Sequence, residues 1–84
     1  MRITFKLFAS LGAYLPLEHR IGNAMALEVA EGATVAEVID RFALPPAQVH
    51  LVLINGHYIA PGERGTRALI DGDVLAIWPP IAGG

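Results

Sequence analysis

The opening of the chain alternates, with Ile3, Phe5 and Leu7 interleaved with Thr4, Lys6 and Phe8, the period-two pattern of a half-buried strand. The same period returns where Met25, Leu27 and Val29 alternate with Ala24, Ala26 and Glu28, and Glu31-Gly32 closes this second strand. Residues 10–23, with Gly12, Pro16 and Gly22, read as a loop or a partly helical connection. From Thr34 the period becomes helical. Val35, Val38, Ile39 and Phe42 stand at i, i+3, i+4 and i+7, one apolar stripe. Thr34 and Glu37 have the spacing of a capping box, in which hydroxyl and carboxylate each satisfy one exposed backbone N–H. Pro45 and Pro46 stop the helix near Leu44, because proline cannot continue it and the preceding residue avoids the α region. Residues 49–54 form a third strand, and Asn55-Gly56 is the pair that a two-residue type I′ hairpin favours. Residues 57–59 return as a short strand. A loop over 61–66 and a turn at Asp71-Gly72-Asp73 lead to the last strand, Val74–Trp78.

The order strand, strand, helix, strand, short strand, strand carries one substantial helix, whose single stripe must cover one face of a mixed sheet. The expected fold class is α+β in two layers, a single domain over 1–78 followed by a flexible tail over 79–84. Eighty-four residues are enough for one core without metal or disulfides.

Such a domain buries one sheet face, yet the third strand does not alternate. His50-Leu51-Val52-Leu53-Ile54 puts apolar side chains on both faces. With Val52 and Ile54 toward the helix, Leu51 and Leu53 point out. With Leu75 and Ile77 inward in the last strand, Val74, Ala76 and Trp78 point out, and Phe8 has the outward parity of the first strand. If the first, third and last strands are neighbours, Phe8, Leu51, Leu53, Ala76 and Trp78 form one exposed patch of the kind that meets a partner. Otherwise the register differs, or residues 12–23 fold over that face.

Composition supports an apolar contact surface: 54% of residues are hydrophobic and 17% charged, on the apolar side for a soluble domain. The net charge of −2, without a basic run, argues against nucleic acid and against a membrane surface as partners. No apolar run approaches the roughly 18 residues of a membrane span, and the alternating N-terminus is unlike a signal peptide. Cytoplasmic location is the default expectation. There is no cysteine, hence no disulfide, no thiolate nucleophile and no cysteine-based metal site. His19, His50 and His57 match no metal-binding spacing. Asp71 and Asp73 suit backbone hydrogen bonding in a turn better than a calcium loop. Ser10, the only serine, lacks the elbow glycines of a triad, and Gly62 and Gly65 follow no phosphate-binding pattern. No bound metal or cofactor is expected.

What remains is the chain end. A stiff Pro79-Pro80 pair leads into Ile81-Ala82-Gly83-Gly84. Glycine lets backbone lie close to a catalytic wall, proline limits the entropy lost on docking, and six residues reach about 20 Å when extended. Joined to an adenylate, the Gly84 carboxylate becomes an acyl donor that sulfide, a persulfide or an amine can attack. A protein without cysteine can thus carry sulfur as a C-terminal thiocarboxylate.

Residues 69–84, with the Asp71-Gly72-Asp73 turn, the strand, Pro79-Pro80 and Gly83-Gly84, resemble the C-terminus of the MoaD/ThiS family of ubiquitin-like sulfur carriers, most closely the molybdopterin synthase small subunits. The element order is similar to that family's β-grasp fold. The resemblance implies a carrier subunit without its own catalytic site. A ubiquitin-activating-type adenylyltransferase, using ATP, would adenylate Gly84, and a sulfur donor would convert it to the thiocarboxylate. The tail, with Pro79, Pro80, Ile81, Ala82 and Gly83, would then enter an acceptor such as the molybdopterin synthase large subunit. It also implies that the outward patch meets these partners. Related carriers serve thiamin synthesis, tRNA thiolation, cysteine synthesis or conjugation to lysines, and the double proline favours the molybdopterin branch over the thiamin branch. Lys6 is the only lysine, which leaves little for self-conjugation.

Overall fold

The computed structural model describes residues 1–80. Five strands, β1 (Arg2–Leu7), β2 (Ala24–Glu28), β3 (Leu51–Ile54), β4 (His57–Tyr58) and β5 (Val74–Trp78), form one sheet in the order β2-β1-β5-β3-β4. β1 and β5 run parallel; every other neighbouring pair is antiparallel. The last strand thus lies in the middle, flanked by the first and third, and this is the adjacency the patch required. The one α-helix among the described residues, α1 (Val35–Arg41), contributes Val35 and Val38 to a core shared with Phe5, Leu27, Val52 and Leu75. Ile39 and Phe42, the rest of the stripe, pack against that core half-buried, with the Phe42 ring 4.7 Å from that of Phe5. The fold class is the expected one, a β-grasp arrangement of mixed sheet and helix.

Three local expectations differ from what forms. Thr34 Oγ1 accepts from the Glu37 N–H at 3.3 Å, but Glu37 takes the Thr34 hydroxyl at 3.4 Å rather than the Thr34 N–H. Thr34 instead bridges to Ala68, so its backbone is held by another segment. The helix ends at Arg41, earlier than the prolines demand, because Ala43 turns left-handed (φ 53°) and the chain reverses there. β3 begins at Leu51 and not at 49, since Pro46–Gln48 forms a 3₁₀ turn closed by the Val49 N–H on the Pro46 carbonyl.

The connection over residues 10–23, unresolved from sequence, holds two 3₁₀ segments, Ala9–Tyr14 and Leu17–His19. Leu11 and Leu15 are buried in the core cluster. These two leucines therefore serve the core on the helix side of the sheet, while Tyr14, Leu17 and Ile21 of the same connection are exposed. At the other end, Asn55 (φ 51°) and Gly56 (φ 83°) supply the two left-handed residues of the type I′ hairpin between β3 and β4.

Candidate functional site

The register fixes which side chains share the face opposite α1. At the end from which the tail departs, β5 pairs Trp78 with Leu51 of β3. The Phe8 N–H bonds the Ile77 carbonyl at 3.1 Å, extending the β1–β5 ladder one step and setting Phe8 abreast of Trp78. The two rings stack at 4.1 Å between centroids, with 1° between their planes. The next row across the sheet is Ala24, Lys6, Ala76, Leu53 and Tyr58, and beyond it stand Ala26, Thr4 and Val74. Phe8, Leu51, Leu53 and Trp78 are each half-buried, whereas Ala76, expected to be exposed with them, is buried at 7% exposure because its short side chain lies between Lys6 and Leu53. All five residues of the expected patch lie together on one face.

Beside Ala24, Ala26 and Thr4, three further residues belong to this surface and were absent from the expected patch. Val74 is half-buried, Tyr58 is 57% exposed, and Lys6 is half-buried near the centre. Strand parity already assigns Lys6 and Val74 to this face; Tyr58 becomes visible only once the hairpin pairs it with Leu53.

The base of the tail is anchored from both sides. The His50 N–H bonds the Trp78 carbonyl at 3.1 Å, holding the start of β3 against the end of β5. Pro79 is buried and Pro80 exposed, so the double proline marks the passage from packed chain to surface. Ile81, Ala82, Gly83 and Gly84 lie outside the described residues. Arg64 laces this end from below, donating Nη1 to the Val49 carbonyl (3.4 Å) and Nη2 to that of His50 (3.3 Å), while its buried Nε has no hydrogen-bond partner among the described residues.

The other end of β5 is fixed by Asp73, which is 2% exposed. Its Oδ1 accepts from Asn55 Nδ2 at 2.9 Å and its Oδ2 from the Ile70 N–H at 2.9 Å, while Asn55 Oδ1 accepts the Val74 N–H at 2.8 Å. This is the backbone-directed role expected of a turn aspartate, with Asp71 Oδ1 likewise taking the Arg2 N–H at 2.8 Å. Among the described residues no group of three His, Cys, Asp or Glu side chains is placed to hold a metal ion. No helix among them is long and apolar enough to cross a membrane.

A two-layer β-grasp domain with a half-open sheet face, whose central strand leads directly into Pro79-Pro80, has the build of the ubiquitin-like proteins. A model of the ThiS family matches residues 15–84, the diglycine included; the chain belongs to that family. Among solved structures, SAMP1 from Haloferax volcanii is 28% identical with a TM-score of 0.68, and the match covers 100% of each chain. A crystal structure of small archaeal modifier protein 1 from the same organism is 26% identical with a TM-score of 0.65, covering 95% of this chain and 98% of that one. The complex of subunits 1 and 2 of molybdopterin-converting factor from Helicobacter pylori contains a chain 19% identical, TM-score 0.59, with 100% of both chains covered; that likeness is one of fold. No curated protein matches the chain by sequence.

Proposed function

We propose that this protein is a sulfur carrier of molybdopterin biosynthesis, acting through the carboxylate of Gly84. The carboxylate attacks the α-phosphate of ATP on an adenylyltransferase partner, releasing pyrophosphate. Sulfide then adds to the acyl carbon and expels AMP, leaving a thiocarboxylate. The tail carries this sulfur into the acceptor enzyme, for which the molybdopterin synthase large subunit is the reading's choice, and the open sheet face docks against that enzyme. The chain itself supplies positioning and no catalytic side chain. The observation that carries the reading is the family match running through Gly83-Gly84, together with β5 delivering that segment from the centre of the sheet. Pro79-Pro80 favours the molybdopterin branch.

The similarity to small archaeal modifier protein 1 favours a second reading, in which an amine in place of sulfide attacks the adenylate and Gly84 becomes linked to lysines of other proteins. Lys6, the only lysine, is half-buried on the docking face, so a linkage there would compete with docking.

Intact-mass measurement after incubation with the activating enzyme, ATP and a sulfide donor tests the carrier reading. The expected result is a gain equal to the exchange of one oxygen for one sulfur at Gly84, lost on deletion of Gly84 with the melting temperature unchanged. Normal adenylation of the truncated chain would overturn the reading, and recovery of isopeptide-linked glycine remnants from cells would support the second.

A further inference from the structure

Apart from the Arg2–Glu28 pair at its edge, the open face carries one charged side chain among the described residues. Lys6 sits near its middle, flanked across the sheet by Ala24 and Ala76. Among the described residues it makes no ion pair, and the carboxylate on the outward face of the paired strands, Glu28, is taken up by Arg2 at 2.8 Å at the far end of β1. Lys6 is half-buried, as for a side chain whose stem lies along apolar surface while its ammonium stays hydrated. A protein docking on this face removes that water, and an unpaired charge in a dry interface is strongly unfavourable. A purely apolar counter-surface is thereby penalised. So is a second copy of this chain docked face to face, which would bring a second ammonium and, among the described residues of that face, no carboxylate beyond the Glu28 held by Arg2.

We infer that the docking partner presents a carboxylate opposite Lys6, set within an apolar surface that covers Trp78, Leu51 and Leu53. Charge complementarity at this point selects the partner, while the surrounding apolar contacts supply area. The inference rests on the carrier reading and adds to it the chemistry of the partner's surface.

The test uses the full chain with two purified probes from the same organism, its adenylyltransferase and its homologue of molybdopterin-converting factor subunit 2. Dissociation constants are measured by calorimetry for the wild type, Lys6→Arg, Lys6→Met and Lys6→Glu, with melting curves to show that each variant folds. The expected result is near-wild-type affinity for Lys6→Arg, a loss of about tenfold for Lys6→Met and about a hundredfold or more for Lys6→Glu, the order that a buried charge pair gives. Equal or tighter binding by Lys6→Met or Lys6→Glu would overturn the inference while leaving the carrier reading intact, as would wild-type dimerisation through this face in sedimentation. A wild type that binds neither probe and gains no sulfur would overturn the carrier reading itself.

Discussion

Asp73 shows how one side chain holds distant segments in place. Its carboxylate joins the side chain of Asn55, in the β3–β4 hairpin, to the Ile70 backbone at the entry of β5. Asn55 returns a bond to the Val74 N–H. Replacing Asp73 with alanine removes the acceptor of two part-buried donors, on the exposed residues Asn55 and Ile70, so each loss costs toward the low end of about 1–3 kcal/mol. Asp73→Ala is therefore expected to lower unfolding stability by roughly 2 kcal/mol, measured as a lower urea midpoint with an unchanged slope. The individual roles were legible: Asn55-Gly56 as a hairpin and Asp73 as a turn residue follow from local chemistry. Their joining was not, because eighteen positions separate them and no local period encodes a long-range hydrogen bond.

The helix has a clear start and a less obvious stop. After the Phe42 C-cap, the Ala43 N–H bonds the Asp40 carbonyl and the Leu44 N–H bonds that of Ile39. This is the pairing of a Schellman motif, with buried Leu44 beside Ile39 as its apolar contact. The motif needs a left-handed residue at the position after the cap. Here it is alanine, at φ 53°, where a side chain costs roughly 1–2 kcal/mol that glycine avoids. Offset by the greater freedom of glycine in the unfolded chain, Ala43→Gly is expected to raise stability by about 0.5–1 kcal/mol, seen as a higher melting temperature with unchanged helical circular dichroism. Sequence signals pointed to the proline pair as the stop because proline is an explicit breaker; an alanine gives no sign that it will turn left-handed. Residues 10–23 were opaque for a related reason. Two 3₁₀ segments lack a 3.6-residue stripe, and Leu11 and Leu15 find their burial only against strands distant in sequence.

At the scale of the whole molecule, the two sheet faces divide stability from recognition. The inward face packs on α1, and the outward face stays partly open around the stacked Phe8 and Trp78. β3 places both roles side by side, with Val52 fully buried and Leu51 half-buried on the opposite side, paired to Trp78. That strand's unbroken apolar run was the clearest sequence sign of a second contact face, since a solvated face would have alternated. On this division of the two faces, adjacent truncations separate cleanly. Val52→Ala opens a cavity in the core and is expected to cost about 2 kcal/mol of stability, a large share of the roughly 5–15 kcal/mol available to a small domain. Its affinity for partners should stay near wild type wherever it remains folded. Leu51→Ala should change stability by less than about 1 kcal/mol, as for a side chain already half in water, while weakening docking on the acceptor or activating enzyme by about tenfold, or 1.4 kcal/mol. Urea denaturation and calorimetric binding on the same two variants decide the matter. Equal losses of stability would mean that the outward face is packed within the molecule, and unchanged docking by Leu51→Ala would move the contact surface away from the end of the sheet that leads into Pro79 and Pro80.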